Sequence, residues 1–384
     1  MKRNQEKNPA TIAARANGYF DEASGGVTPP LQPSTTFIRN ENYELHNTSN
    51  TYGRDNNDQV RLAENILCQF ECGEDTLLFS SGMAAISALI NTLANGDRLL
   101  LQEGIYWGTT HWVRIYCEKH GIELIEADAS KTESFTAKIT EIRPQLVFVE
   151  TPSNPWLKTA DVTGIAKACD NTDTLLAVDA TAASPILMKP LELGADISVH
   201  SATKVINGHS DVLAGVLTTA DKKSEMWNEI ASIRHGAGAI LSAHSAWMLI
   251  RGMRTLPLRV ERMCKNAKAI AEFLNGHSKV EAVWYPGLSS DSGNEIATKQ
   301  MVGGYGYLIS FLVKENKADA LEFCRHLEGI HRATSLGGTE SLVEHRHTVE
   351  GDMTGVPENL IRLSVGIEDA ADLIAELDEA LAKI

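Results

Sequence analysis

The feature that most constrains this chain is a regular alternation of short apolar runs with helical patterns in its first half. Each apolar run is rich in Leu, Val, Ile or Phe and stops at polar or turn-forming residues, which is typical of a buried strand. Strands that alternate with helices predict an α/β fold with a largely parallel sheet covered on both faces. The predicted strands are residues 77–79, 98–102, 122–126, 146–150 and 175–179, and predicted helices include residues 83–93, 109–119 and 162–168.

The pattern changes after about residue 245, where helices become longer and strands fewer. Helices are predicted at residues 243–254, 257–274 and 370–381, with strands at 280–284 and 307–313. The first 50 residues are polar, broken by prolines and without a strong period, so they cannot form a core of their own. We therefore predict an N-terminal arm that contributes to subunit contacts (1–50), a large domain (51–245) and a smaller α+β C-terminal domain (246–384).

Composition points to small-molecule chemistry. The chain has 384 residues, 43% of them apolar, which is enough to bury a large core. Its 35 basic and 50 acidic residues give a net charge of -15, which disfavours nucleic acid and an anionic membrane surface as partners. The charged N-terminus precedes no apolar signal segment, and we expect a cytoplasmic protein.

No metal site is predicted. The six cysteines are scattered without a Cys-x-x-Cys pair, so we expect reduced thiols that pack in the interior. The twelve histidines form no ligand pattern on a helix, and His345 with His347 is interpreted as a solvated loop pair.

Residues 195–209 hold the strongest chemical signal. An alternating apolar strand stops at Ser201, Thr203 and Lys204, which places a lysine and two hydroxyls at the carboxyl edge of the sheet. An amine beside hydroxyls suits a ligand with an aldehyde and a phosphate, and pyridoxal phosphate (PLP) carries both groups. A single lysine after a strand is more often a solvated surface charge, so the hypothesis depends on the residues that converge with it.

Three other strand ends carry unusual residues. Ser81 and Gly82 form a turn between a strand and a helix, where free backbone N–H groups and the helix dipole favour an anion. Asp179 ends an apolar strand and needs a cationic or hydrogen-bonding partner, which a pyridinium nitrogen would supply. Tyr106 begins an aromatic pair that suits a flat ring, with a core or lid role as the alternative, and Asn154 lies in a proline-bounded turn that presents an amide.

Motifs from about residue 52 to the C-terminus match one known pattern. The longest block runs from residue 178 to residue 211 and contains His-Ser-Ala-Thr-Lys at 200–204. Further motifs are Tyr-Gly-Arg at 52–54, Ser-Gly-Met at 81–83, Glu-Thr-Pro-Ser-Asn-Pro at 150–155, Ser-Leu-Gly-Gly at 335–338, Glu-Ser-Leu-Val-Glu-His at 340–345 and Arg-Leu-Ser-Val-Gly-Ile-Glu at 362–368. With these motifs the chain resembles the Cys/Met-metabolism family of PLP enzymes, also called the cystathionine gamma-synthase or transsulfuration family.

The resemblance implies PLP fold type I, the aspartate-aminotransferase-like fold, and a dimer of dimers whose active sites are shared between chains. It implies that Lys204 binds the cofactor aldehyde and later moves the substrate α-proton, that Asp179 keeps the pyridine nitrogen protonated, and that Tyr106 stacks on the ring. Arg362 would bind the amino-acid carboxylate as a fork that lysine cannot reproduce. The other implied cofactor contacts are Ser81, Gly82, Met83, Ser201, Thr203, Asn154 and Thr181, with Tyr52 and Arg54 from a neighbouring subunit; Ser335, Asn154 and Tyr52 would join Arg362 at the substrate.

The chain also departs from the family pattern, mainly where a substrate side chain would lie. Trp107 and Thr334 are expected to border that side chain, so these departures concern specificity. None of the departures removes a group that holds or activates the cofactor. They are Trp107 for glycine, Ala180 for asparagine, Val205 for tyrosine, Asn56-Asn57-Asp58 for Asn-Pro-Thr, Arg346 for proline, and Thr334 for the glutamate of several γ-acting members.

The resemblance implies elimination from a sulfur amino acid, by a carbon–sulfur lyase of the cystathionine lyase type that releases a thiol, ammonia and a 2-keto acid. The alternative is γ-replacement on an activated homoserine, as in a cystathionine gamma-synthase or an O-acyl-homoserine sulfhydrylase. No cysteine follows Tyr106, which disfavours a methionine gamma-lyase. An aminotransferase or decarboxylase fits the motifs less well. A nicotinamide dehydrogenase would need Gly-x-Gly-x-x-Gly after its first strand, and a non-catalytic scaffold would be expected to lose Lys204 or Asp179.

Overall fold

A computed structural model describes residues 8–314 and 316–384, so the first seven residues of the predicted arm lie outside the described part. The large sheet has seven strands in the order β1-β7-β6-β5-β4-β2-β3, and only β7 runs antiparallel to its neighbours. The predicted mainly parallel sheet of an α/β fold is confirmed. Its strands are β1 (Asp75–Phe79), β2 (Arg98–Gln102), β3 (Glu123–Ala127), β4 (Leu146–Glu150), β5 (Leu175–Asp179), β6 (Ile197–Ser201) and β7 (Gly215–Thr219).

Helices cover both faces of this sheet. The central strand β4 is buried at every position, because side chains on both of its faces pack against helices. Separate apolar clusters lie on the two sides, one containing Val147 and Val149 and the other containing Leu146 and Phe148. The helices that precede β7 along the chain are α1 (Pro9–Ala14), α2 (Asp58–Glu71), α3 (Gly82–Ile90), α4 (Trp107–His120), α5 (Thr132–Ile142), α6 (Val162–Asp170) and α7 (Ser184–Leu187), with 3-10 turns at Ala16–Gly18 and Pro190–Leu193.

The C-terminal part builds a second sheet of five strands in the order β10-β11-β12-β9-β8. Its pairs are antiparallel except for β10 and β11. The strands are β8 (Val280–Trp284), β9 (Leu308–Val313), β10 (His331–Arg332), β11 (Leu342–His345) and β12 (Leu360–Ser364). The remaining helices are α8 (Glu225–Ala237), α9 (Ala243–Met253), α10 (Leu256–Gly276), α11 (Asn294–Gln300), α12 (Lys317–Arg325), α13 (Arg346–Glu350) and α14 (Ala370–Leu381), with a 3-10 turn at Asp352–Thr354.

The N-terminal segment is not uniform. Ile12, Ala13 and Ala16 are buried in the main apolar cluster, so the beginning of the described segment packs on its own chain. Farther along, large apolar side chains are exposed, among them Val27 and Ile38. This second stretch has the exposed apolar surface that an arm covering another subunit requires.

The environment of His345 and His347 differs from the one predicted. The interpretation of His345 and His347 as a solvated loop pair is wrong, because both are buried: His345 ends β11 and His347 lies in α13. The ring nitrogens of His345 contact the Thr348 hydroxyl and the Glu358 carbonyl, each over 2.6 Å, in place of solvent. No helix in the described part of the chain is long and apolar enough to cross a membrane.

Candidate active site

Lys204 lies in the turn after β6, at the carboxyl edge of the large sheet. Its Nζ donates a hydrogen bond to Ser335 Oγ over 2.9 Å. Burial, assisted by the positive charge of Arg362, lowers the pKa of Lys204 to about 8. A neutral amine acts as a nucleophile and a base, whereas an ammonium group does neither, so this environment favours a reactive lysine near neutral pH.

Ser335 connects Lys204 to Arg362. The φ angle of Ser335 is +114°, a strained conformation that persists only where the surroundings enforce it. The carbonyl oxygen of Ser335 accepts a hydrogen bond from Arg362 Nη2 over 2.8 Å, while its hydroxyl accepts one from Lys204. Arg362 Nη1 donates to Asn154 Oδ1 over 2.9 Å. One line of contacts therefore joins the amine of Lys204 to a guanidinium and an amide.

Arg362 lies on β12 with only 3% of its side chain exposed. Burial, together with the charge of Arg346, lowers the pKa of Arg362 to about 10, so it remains a cation at neutral pH. Its Nε is buried and has no hydrogen-bond partner among the described residues. Buried donors are normally satisfied, so this N–H is a candidate donor for a ligand acceptor.

Asp179 ends β5 and is buried. One of its carboxylate oxygens, Oδ1, accepts hydrogen bonds from the backbone N–H and the hydroxyl of Thr181, over 2.9 Å and 2.6 Å. The Thr181 hydroxyl in turn accepts from the N–H of Ser201 over 2.8 Å. Burial raises the pKa of Asp179, and the two bonds from Thr181 oppose that effect. The other oxygen, Oδ2, accepts no hydrogen bond within the described residues and is available to a cationic partner.

The turn at Ser81 and Gly82 forms a cradle against the end of β6. Ser81 caps α3 by accepting a hydrogen bond from Ala84, and Gly82 and Met83 begin the helix. A side chain added at Gly82 would place its Cβ 2.9 Å from Ser201 Cβ, so glycine is what lets the helix N-terminus approach Ser201 this closely. The free N–H groups of this first turn therefore lie next to the Ser201 hydroxyl.

Thr203 is near this cradle in sequence, but its hydroxyl is already used. It donates to the carbonyl of Ala214 over 3.2 Å and accepts from the N–H of Ala214 over 3.0 Å. Through these two hydrogen bonds, Thr203 anchors the turn to the segment before β7. A contact to a phosphate would require its hydroxyl to rotate away from the Ala214 carbonyl.

Glu150 is a site residue that the sequence interpretation did not include. One of its carboxylate oxygens accepts a hydrogen bond from the Tyr106 N–H over 3.0 Å, and the other accepts from the Asn154 N–H over 2.6 Å. Burial and the adjacent charge of Asp179 raise the pKa of Glu150 to about 8. Glu150 lies opposite Asp179 in the parallel ladder. An acid at the end of a fully apolar strand was the available signal, since it is the same signal that identified Asp179.

Tyr106 precedes α4, and its hydroxyl has a pKa raised by burial. Trp107 follows it, with the two ring centroids 6.1 Å apart, and both rings are partly exposed. Two exposed aromatic rings at this edge are available to cover a bound ligand. Thr334, which precedes Ser335, is also exposed.

Tyr52 and Arg54 are not brought to Lys204 within this chain. Their polar and ring contacts within the described residues are between neighbours: the Arg54 guanidinium lies 5.5 Å from the Tyr52 ring centroid and 3.6 Å from an Asp55 carboxylate oxygen. Arg54 also lies 3.9 Å from the position of a Cβ on Gly238. Both side chains are largely exposed, so they remain available to another molecule.

Comparison with known proteins decides the family. A model of the Cys/Met metabolism PLP-dependent enzymes matches residues 10–382. The chain belongs to this family. A cystathionine gamma-synthase of Mycobacterium tuberculosis is 39% identical, covering 97% of this chain and 96% of that protein, and a cystathionine beta-lyase of Lactococcus lactis is 37% identical, covering 94% and 96%. The solved cystathionine gamma-synthase of Xanthomonas oryzae in complex with aminoacrylate and cysteine has a TM-score of 0.93 at 34% identity, with 98% of both chains covered.

Family membership confirms the predicted type I fold and the predicted PLP cofactor: the chain is a PLP-dependent enzyme of sulfur amino-acid metabolism. The residues in the structure fit that cofactor. A primary amine, a buried carboxylate with an unused oxygen and a helix N-terminus pressed against Ser201 match the aldehyde, the pyridine nitrogen and the phosphate of PLP in chemical type.

Proposed function

We propose that this enzyme is a PLP-dependent carbon–sulfur lyase that cleaves cystathionine or a related conjugate of cysteine. The observation that carries the proposal is the line of contacts from Lys204 through Ser335 to Arg362 and Asn154. It holds a reactive amine and a buried cation close together, as an α-amino acid requires. When bound, the cofactor supplies an electron sink that stabilises negative charge at the substrate α-carbon.

The residues around the cofactor have separate roles in this proposal. Lys204 would hold the cofactor aldehyde, and its amine, when free, would remove the substrate α-proton. The unused oxygen of Asp179 would face the pyridine nitrogen and, as part of an anion, would keep that nitrogen protonated. Ser81, Gly82, Met83 and Ser201 hold the phosphate, while Thr181 orients Asp179 and Ser201 together.

The substrate side of the site is formed by Arg362, Ser335 and Asn154. Arg362 binds the α-carboxylate, and its unpaired Nε–H is one of the donors available for that purpose. Tyr106 would cover the cofactor ring, and Glu150 holds the backbone of Tyr106 and of Asn154 in register with Asp179. Trp107 borders the departing thiol and narrows the space around it.

The second candidate function is γ-replacement on an activated homoserine. It is favoured by the identity of 39% with a cystathionine gamma-synthase and by the fold similarity to a solved enzyme of that name. The first candidate is favoured by the identity of 37% with a cystathionine beta-lyase and by Thr334, which replaces the glutamate of several γ-acting members. The two candidates differ in whether a thiol is released or consumed.

A product assay decides between them. The holoenzyme is incubated with cystathionine, cysteine, methionine and O-acyl homoserines, each with and without added cysteine, and the keto acids, thiols and ammonia are identified by mass spectrometry. The lyase proposal predicts a thiol amino acid, ammonia and a keto acid from cystathionine alone. Formation of cystathionine from an O-acyl homoserine plus cysteine, with no cleavage of cystathionine, would instead establish the replacement reaction.

We also propose that the active site is shared between two chains, with Tyr52 and Arg54 of one chain on the cofactor phosphate of the other. Both side chains are about half exposed, and the polar and ring contacts that they make within the described part of the chain are with each other and with Asp55. The exposed apolar stretch before them is proposed as the arm that crosses the interface. In such a dimer, each site takes Lys204 from one chain and Arg54 from the other, and a dimer of dimers is the proposed assembly.

Mixed dimers test this proposal. Lys204→Ala and Arg54→Ala are each expected to be inactive alone. When the two variants are refolded together in equal amounts, half of the dimers are mixed, and each mixed dimer has one site with both defects and one with neither. Roughly a quarter of all sites should therefore regain activity, assuming random pairing about a two-fold axis. Mixed dimers verified by mass spectrometry that stay as inactive as their parents would assign Arg54 to its own chain.

A further inference from the structure

A buried network of four charged groups lies behind the proposed carboxylate site. Arg346 pairs through Nη1 with Glu344 Oε2, and through Nη2 and Nε with Glu350 Oε1, the Nε bond being 3.0 Å long. The same Glu344 oxygen lies 2.8 Å from Arg362 Nη2. The side chains of Arg346, Glu344, Glu350 and Arg362 are between 2% and 5% exposed, so solvent screens these charges little.

The sheet places Glu344 beside Arg362. The two residues are direct partners in the antiparallel ladder between β11 and β12, so the register holds their side chains side by side on one face of the sheet. A carboxylate on Arg362 is the same kind of group that an amino-acid substrate presents. Glu344 is therefore a built-in competitor for the cation that the substrate needs.

Arg346 opposes that competition. It contacts the same oxygen of Glu344 that faces Arg362, so the negative charge of that oxygen is divided between two guanidinium groups. Glu350 in turn neutralises Arg346, and the four groups have no net charge. Without Arg346, Arg362 would be the one cationic partner left to Glu344 among the described residues.

We infer that Arg346 is a positioning residue that holds Glu344 and so keeps Arg362 available to the substrate carboxylate. This inference rests on the proposed role of Arg362 as the carboxylate-binding residue. It also gives a function to the arginine that stands where the family pattern has proline. A purely structural role for Arg346 is the competing explanation, since Arg346 and Glu350 are the first and last residues of α13.

A charge-balanced variant separates the two explanations. Arg346→Met with Glu350→Gln removes one positive and one negative charge and leaves Glu344 facing Arg362 alone. In the holoenzyme, KM for the amino-acid substrate should rise by about tenfold, with kcat and cofactor content nearly unchanged, because groups in one ionic network are strongly coupled. Calorimetric binding of glycine, which has the carboxylate but no leaving group, should weaken by the same factor. Adding Glu344→Gln to this pair should restore both values.

The surface pair Arg114 and Glu126 provides the matched control, because Arg114→Met with Glu126→Gln removes the same two kinds of charge from an exposed site. That control should leave KM and glycine binding unchanged. An unchanged KM in the Arg346 and Glu350 double variant, or a raised KM that Glu344→Gln does not restore, would overturn the inference. If Arg362→Ala itself leaves KM unchanged, the proposed function fails instead, which is a separate result.

Glu344→Gln alone tests the inference without breaking the pair of Arg346 with Glu350. It removes the competitor from Arg362, so KM and the glycine dissociation constant should each fall by about threefold or more. A value that stays the same or rises would overturn the inference. This single variant tests the premise that Glu344 competes for Arg362, and it does so even if the double variant does not fold.

Discussion

Replacing Lys204 by alanine is expected to lower kcat by at least about 1,000-fold, because a positioned acid–base group contributes about 100- to 10,000-fold to the rate. Lys204 is also the proposed attachment point of the cofactor, so the variant should lose the absorbance of covalently bound PLP while keeping its fold. The measurements are the initial rate with saturating PLP, the visible spectrum and the circular dichroism of the protein.

Lys265→Ala is the control, because Lys265 is a largely exposed lysine on α10 that pairs with Glu261 one turn away. It should keep the rate and spectrum of the original enzyme. A Lys204→Ala enzyme that retains more than about a tenth of the original kcat would contradict the assigned role, since the loss of a catalytic acid–base group should lower kcat by more than about tenfold.

Arg362→Ala is expected to cost about 2 to 5 kcal/mol in transition-state stabilisation, measured from kcat/KM, because it removes a buried partner of the substrate carboxylate. Arg362→Lys should rescue poorly, since lysine cannot supply the planar fork that contacts Asn154 and Ser335 as well as a carboxylate. Cofactor content should stay nearly unchanged.

The exposed arginine Arg325 on α12 offers the comparison, because Arg325→Ala removes a guanidinium that pairs with Glu322 three residues before it. Its kcat/KM should equal that of the original enzyme. If Arg362→Ala also kept the original kcat/KM, another residue would have to bind the carboxylate.

The sequence predicted the large sheet well where strands are buried on both faces. Residues 98–102, 146–150 and 175–179 are strands with the predicted bounds, because a continuous apolar run has few alternatives to a central parallel strand. The residues at the ends of these strands, including Asp179, were found for the same reason. Their chemistry interrupts an otherwise apolar pattern.

Features that depend on distant pairing were not predicted. Strands β7, β11 and β12 were missed, because short antiparallel strands are defined by their partners more than by their own composition. Glu344 illustrates the consequence: its position opposite Arg362 follows from the register of β11 and β12, which no local pattern encodes. The buried state of His345 was missed for the same reason.

For the proposed shared site, the residues were predicted from the sequence, but the structure of one chain does not contain their predicted contacts. Tyr52 and Arg54 were expected on a partner's cofactor from the family resemblance, and a single chain leaves both exposed with local contacts. A sequence motif can indicate such residues, but the geometry of their contacts exists only in an assembly of chains.

Lys204 is the centre of the proposed site, and borohydride reduction followed by peptide mapping tests it most directly. The purified enzyme, loaded with PLP, should be yellow, and reduction should fix the cofactor permanently to the peptide that contains Lys204. The depressed pKa of Lys204, about 8, is the chemical reason to expect this lysine rather than an exposed one. A reduced adduct on a different lysine, or none at all, would contradict the proposed site.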